Sequence, residues 1–305
     1  MMKTVAVIFL ILLLTGCGTV NMIDQYQQSS LTNTGFERHT LALEEGGELH
    51  YWQGGDTRAP VIFLLHGFGG TGMTSWYEIM KDLSADYHVI VPDLLWFGDS
   101  FNDAPATISS ETQAIQQLIS SLELNSVNVV GISFGGFVTF DLMINEPKVN
   151  KAVMLASPGI IFSDEDMLAM SRRFGADEAK DVFVPKNGSE VRLLLENTFV
   201  SFPWMPSFID TQVYHQYFDS YHPEKESLIT TLPAYRDQLI AAGFEHPLPP
   251  SLLIWGANDQ VFLLDNGQRF AEFLNAPIIV IPDGAHGLSN DFPEKITNEI
   301  RTFIQ

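Results

Sequence analysis

Val127-Asn128-Val129-Val130-Gly131-Ile132-Ser133-Phe134-Gly135-Gly136 is the stretch on which the reading of this chain turns. Apolar and β-branched positions with a single polar interruption predict a short buried strand. Gly131 to Gly136 then reverses the chain into a helix, expected from Phe137 to Ile144. Small residues at Gly131 and Gly135 suit so tight a turn, because a Cβ at either position would meet neighbouring backbone. Ser133 stands at the apex, where its hydroxyl projects above the sheet. The helix behind it offers unpaired N–H groups to a developing negative charge. Taken alone, the stretch also reads as a glycine-rich turn with an incidental serine; the residues at the ends of the other strands decide between the two.

Three further strand ends carry reactive side chains. Val61 to Leu65, an apolar run without alternation, is followed by His66-Gly67-Phe68-Gly69-Gly70. Leu252 to Trp255 leads into Gly256-Ala257-Asn258-Asp259, and Ile278 to Ile281 into Pro282-Asp283-Gly284-Ala285-His286-Gly287. Strands are also expected at His88 to Val91 and Ala152 to Ala156. The intervening helices are expected at Trp76 to Leu83, Thr107 to Leu124, Leu263 to Leu274 and Pro293 to Ile304. Strands alternating with helices predict a mostly parallel sheet covered on both faces, with ligands beyond the carboxyl ends of the strands. Ser, then Asp, then His is the chain order of nucleophile, orienting acid and base in sheet-based hydrolases. On these residues, and on Asp93-Leu94-Leu95-Trp96-Phe97-Gly98-Asp99-Ser100 after the fourth strand, the chain from Phe36 to Gln305 resembles an α/β-hydrolase. The resemblance implies an α/β fold with a mostly parallel eight-stranded sheet, flanking helices and an inserted helical cap.

The chemistry is set by what a serine needs. A hydroxyl is a weak nucleophile at neutral pH, so a base must take its proton, and His286 can accept it and return it to a leaving group. Asp259 fixes the imidazole tautomer and favours the charged ring. Asp283 is its rival in sequence, but lies so close to His286 that a turn-capping role suits it better. Two N–H donors are needed for the tetrahedral oxygen. Phe134 supplies one, and Phe68 resembles the residue that supplies the other. In the resembled pattern His66 braces its loop and stands outside the catalytic set, and Trp76 belongs to the core. Carbon–carbon bond and amide hydrolases of this fold share the serine and histidine, so these activities stay open, as does an inactive, lipid-binding surface protein.

From Pro158 the strand–helix rhythm stops until about Gly243, and the residues become rich in Met and Phe. This predicts a cap over 158–245, inserted between core parts 36–157 and 246–305. Met167, Leu168, Met170, Phe174, Phe183, Val184, Phe199, Phe202, Trp204, Met205 and Phe208 would glue it down or line an acyl-accepting cleft. Pro158-Gly159-Ile160 and Ile254 to Val261 resemble monoacylglycerol lipases, implying short or medium acyl esters as substrates. The acids Asp164, Glu165 and Asp166 read as a solvated helix start. No metal-ligand spacing and no phosphate loop occur, so no cofactor or metal is expected.

The whole chain carries 16 Lys and Arg against 37 Asp and Glu, a net charge of -21. Nucleic-acid partners are therefore excluded, and highly anionic substrates are disfavoured unless Arg172, Arg173 or Arg192 forms a local basic patch. Nothing in the sequence encodes an oligomeric state. At the start, Lys3 precedes the apolar run Val5 to Leu14 and then Thr15-Gly16-Cys17, the only cysteine. The run is too short to span a bilayer and has the order of a secretory leader. Leu14-Thr15-Gly16-Cys17 resembles the processing site of bacterial lipoproteins, which implies removal of 1–16, acylation of Cys17 and a cell-envelope location. With Gly18 rather than Asp next, the outer membrane is favoured. Residues 17–35, rich in Asn, Gln, Ser and Thr, are expected to form a flexible tether.

Overall fold

The computed structural model describes residues 18–244 and 247–305; the expected leader 1–16 and Cys17 lie outside the described residues. The strands are β1 (Glu37–Ala42), β2 (Gly47–Gly54), β3 (Val61–Leu65), β4 (His88–Pro92), β5 (Phe101–Asn102), β6 (Val127–Ile132), β7 (Val149–Leu155), β8 (Ser251–Gly256) and β9 (Ile278–Ile281). Eight of them run in the order β1-β2-β4-β3-β6-β7-β8-β9, and the two-residue β5 adds to β2. Pairs from β4 across to β9 are parallel, whereas β2 is antiparallel to β1, β4 and β5. The unbroken apolar runs have a simple cause. Val61, Phe63 and Leu65 enter the core beneath one face of the sheet, while Ile62 and Leu64 enter the core on the other. Both faces of a strand with helices on each side must be apolar.

Strand order reverses between β3 and β6, so the loops after these two neighbours splay apart at the carboxyl edge. Such a switch point opens a crevice for a ligand. His66 to Gly70 follows β3 and Ser133 follows β6, which puts both at that crevice.

The first helix, α1 (Thr19–Asn33), corrects one expectation: the polar stretch read as a tether is a 15-residue helix. Its apolar residues are few but well placed. Val20, Asp24 and Leu31 lie on the buried side, with Leu31 fully buried among residues of the sheet's second core. Tertiary packing, rather than propensity, stabilises such a helix.

Next come α2 (Gly72–Leu83), α3 (Ile108–Ser121) and α4 (Phe134–Asn145). Helix α4 starts three residues before the expected Phe137, because Ser133 itself is its N-cap. Between β7 and β8 the chain inserts α5 (Asp164–Arg173), α6 (Ala179–Phe183), α7 (Gly188–Thr198), α8 (Ser207–Val213), a π-helical turn (Tyr214–Phe218) and α9 (His222–Ala242). Helices α10 (Leu264–Leu274), α11 (Leu288–Asp291) and α12 (Pro293–Ile304) complete the fold. The acids at the start of α5 do cap it: Ser163 and Asp166 form a capping box, and Asp164 and Glu165 are exposed.

Candidate active site

Ser133 sits between β6 and α4 with φ 54° and ψ -119°, a conformation that side chains rarely adopt. The turn holds it there by close backbone approach. A Cβ on Gly131 would lie 2.2 Å from the Gly135 carbonyl oxygen, and one on Gly135 would lie 2.4 Å from the carbonyl oxygens of Leu65 and His66. Phe134 is the first residue of α4, so its N–H has no carbonyl one turn back within the helix.

The opposite wall is the loop after β3. His66 is fully buried and takes the Leu94 N–H on Nε2 (2.8 Å), which leaves Nδ1–H to donate to the Gly67 carbonyl at 2.8 Å. Burial holds its pKa down at about 4, so the ring is neutral at physiological pH and braces the loop. The loop after β4 is stitched by buried carboxyls as well. Glu111 accepts the Leu95 N–H (2.9 Å), and Asp93 accepts the Gly72 N–H at the start of α2 (2.8 Å). Burial raises Asp93 to about 6 and carries Glu111 well above the usual carboxylate range. Phe68 lies over this platform, its ring edge-on to Phe97 at 4.9 Å and to Phe134 at 5.5 Å.

Asp259 and His286 arrive from the ends of β8 and β9. The Asp259 Oδ1 atom accepts two N–H groups, from Val261 (2.8 Å) and Phe262 (3.0 Å), and Oδ2 accepts from His286 Nδ1 at 2.9 Å. With Nδ1 committed, Nε2 is the ring nitrogen available to Ser133. The ring is further fixed by Phe262, edge-on at 5.4 Å. Arg173 reaches from α5 to the Gln260 and Val261 carbonyls (3.1 and 3.0 Å), tying the cap to the Asp259 loop. Asp283 is exposed on the turn after β9, and it is Asp259 whose carboxylate meets the imidazole.

Ser133, His286, Gly67 and Phe68 line one cavity of about 250 Å³, walled on the cap side by Phe183, Leu194, Thr198, Phe199, Val213, Tyr217 and Phe218. A smaller chamber of about 30 Å³ also reaches Ser133 and Phe68 and is closed by Phe134, Phe162, Met167, Met170, Phe183 and Phe262. The serine thus stands where a roomy cleft meets a narrow apolar chamber. Of the cap residues expected to glue or line, Met167, Met170, Phe183 and Phe199 do line these spaces, whereas Trp204 is 83% exposed. Two arginines considered for a basic patch are otherwise engaged: Arg173 is held by carbonyls, and Arg192 pairs with Asp210 and the Met205 carbonyl.

Three contributors have no local sequence signal. Lys225 of α9 is buried beneath the π-helical turn; its ammonium donates to the Tyr217 carbonyl (3.0 Å) and lies 5.3 Å from the centre of the Phe97 ring. Burial lowers it to about 8. Phe218 packs on the loop at Gly69, where φ is +81° and a Cβ would lie 2.5 Å from the ring. Gly287, next to His286, donates its N–H to the Thr198 carbonyl at the end of α7 (2.7 Å).

Comparison with known proteins agrees with this architecture. The family model described as alpha/beta hydrolase fold matches residues 60–292. Lipase 1 of Psychrobacter immobilis is 24% identical over 277 residues, covering 88% of this chain and 83% of that protein. Epoxide hydrolase 3 of Xenopus tropicalis is 26% identical over 299 residues, covering 90% and 80%. A solved structure of a membrane phospholipase A, presented as a bacterial virulence factor, superposes with a TM-score of 0.71 at 20% identity, covering 99% of this chain and 98% of its own. At that identity the likeness establishes the fold.

Proposed function

This chain belongs to the alpha/beta hydrolase fold family, and from that premise we propose that it is a serine carboxylic-ester hydrolase of esterase or lipase type, working through an acyl-enzyme. The observation that carries the reading is the convergence of Ser133 and the Asp259-bound His286 on one cavity. Ser133 Oγ attacks the ester carbonyl carbon while its proton passes to His286 Nε2. The carbonyl oxygen becomes an oxyanion that accepts the N–H groups of Phe68 and Phe134. Collapse expels the alkoxide, which takes the proton from His286; water then repeats the sequence on the acyl-enzyme and releases the acid. A fluorophosphonate probe should label the active protein on Ser133. Ser133→Ala and His286→Ala should each remove nearly all turnover while leaving the fold intact, because members of such a unit do not act independently. Turnover without labelling would overturn the covalent mechanism.

Monoacylglycerol-like esters are the favoured substrates. The narrow chamber beside Ser133 suits a few carbons of an acyl chain, and the larger cleft suits a small polar alcohol. The net charge of -21, with Arg173 and Arg192 already engaged, disfavours anionic headgroups. A series of monoacyl, triacyl and phospholipid esters should show highest turnover for monoacylglycerols. A clear preference for phospholipids or long triacylglycerols would overturn the substrate class without touching Ser133, Asp259 and His286. Comparing matched ester, amide and diketone substrates separates ester hydrolysis from the related reactions of the fold.

Cys17 is proposed as the acylated first residue of the mature protein, held in the bacterial envelope at the outer membrane where one exists. The support is the charged start, the short apolar run and the placement of the only cysteine. Cys17→Ser should abolish acyl labelling and release or mis-sort the protein while esterase activity persists. Unchanged attachment would refute the anchor.

A further inference from the structure

A chain with 37 acidic residues has two neighbouring segments whose outward sides carry no charge. The first is α1, whose only carboxylate, Asp24, is turned inward and accepts the Tyr217 hydroxyl. On the side of α1 away from the body, Met22, Ile23 and Tyr26 are 65%, 53% and 72% exposed. The second is 199–209, between the cleft-lining Phe199 and the middle of α8, which contains no charged residue at all. Here Trp204 is 83% exposed, the most exposed large hydrophobic side chain among the described residues. It is not a loose end: Pro203 and Pro206 flank it, and Arg192 grips the Met205 carbonyl next to it while pairing with Asp210. Phe208, 39% exposed, follows one turn before Gln212, whose side chain accepts the Val20 N–H of α1. The two segments therefore adjoin, and both border the cleft through Tyr217 and Phe199.

Exposed aromatic and aliphatic side chains held rigidly on a surface cleared of charge are costly in water and favourable at a lipid interface, where Trp and Tyr sit at headgroup level. We propose that α1 and the 199–208 segment form one docking face for the surface of a zwitterionic bilayer, and that the rim of the cleft is thereby set against the membrane from which substrate is drawn. The occupant is specified by the anchor proposed for Cys17: α1 starts two residues after it, so an acyl chain there fixes the first turn of α1 at the headgroups. The absence of basic residues from the face excludes attraction to anionic lipid as its mode of binding. This inference rests on the anchoring proposed for Cys17.

The tryptophans provide the test. Of five, Trp52, Trp76, Trp96 and Trp255 are at most 5% exposed, so Trp204 alone is open to a quencher from outside. The full-length lipidated protein is reconstituted into vesicles of phosphatidylethanolamine and brominated phosphatidylcholine, and floated to establish attachment. Brominated chains should quench most of the emission that subtraction of Trp204→Phe assigns to Trp204, and vesicles should shield it from aqueous iodide. Trp204→Phe should lose the quenching yet keep its turnover of a soluble chromogenic ester, and Ile23→Asp should weaken the quenching in the otherwise native chain. Co-flotation with Trp204 still open to iodide and untouched by bromine overturns the docking face while leaving the anchor standing. Quenching that survives in Trp204→Phe also overturns it. Failure to float removes the anchor, and the face with it.

Discussion

Ser133 occupies a backbone conformation that costs about 1–3 kcal/mol when a side chain is present, and glycine adopts it freely at an entropic penalty of about 0.5–1 kcal/mol. Ser133→Gly should therefore melt at a higher temperature than Ser133→Ala, although the proposed mechanism makes both inactive; equal midpoints would show that the turn stores no strain. Two buried titratable groups nearby act in opposite directions on stability. Between about pH 4 and 6 Asp93 keeps a proton in the folded chain that the unfolded chain releases, so stability falls as pH rises through that window. His66 is neutral when folded and protonated when unfolded from about 4 up to 6.5, so its contribution rises over nearly the same range. Asp93→Asn removes the falling contribution and keeps an acceptor for Gly72. Its unfolding free energy should thus climb more steeply with pH than that of the native chain, measured by denaturant melts across the window. Parallel profiles would mean that folded Asp93 is already ionised there.

Among the elements, α10 offers a direct test of packing against propensity. Gly267 lies inside this helix, where alanine gains about 1 kcal/mol intrinsically, but a Cβ there would lie 2.4 Å from the fully buried Trp255 indole. That indole donates to the Phe262 carbonyl at 2.8 Å, in the loop whose N–H groups hold Asp259. Gly267→Ala should therefore lose about 1–3 kcal/mol by overpacking and slow ester turnover; a stabilised, fully active variant would contradict this. The strands were readable because each four- to six-residue apolar run serves two cores at once, a demand visible in any short window. The turn at Ser133 was readable for a similar reason at Gly131, which answers to the Gly135 carbonyl four residues on, whereas Gly135 meets the distant Leu65 and His66 carbonyls of β3 and its loop. Helix α1 was not, because Val20, Asp24 and Leu31 take their meaning from partners as distant as Gln212 and Tyr217. Lys225 was hidden for the same cause: inside a polar helix, nothing local distinguishes a buried ammonium from a solvated one.

For the whole molecule, charge is the dominant long-range term. At -21 the folded chain repels itself, and physiological salt shortens the reach of that repulsion to about 8 Å. Melting temperature should accordingly rise as sodium chloride is added from a low-salt start, and a falling midpoint would show that attractive pairs such as Arg192 with Asp210 outweigh the net charge. Ser133, Asp259 and His286 are separate in sequence and come to one edge because β6, β8 and β9 deliver their carboxyl ends there: His286 bonds Asp259 and shares a cavity lining with Ser133.

That delivery also orders events at the ribosome. The strand carrying Ser133 leads the cap, whereas the strand carrying His286 is the last in the sheet, with only α11 and α12 after it. On the proposed mechanism, a nascent or truncated polypeptide that has made β6 but not β9 would hold a nucleophile with no base to activate it, and would be chemically silent. On that mechanism hydrolytic competence is acquired in a single late stroke, when β9 docks and brings the His286 loop to the edge where Ser133 already stands.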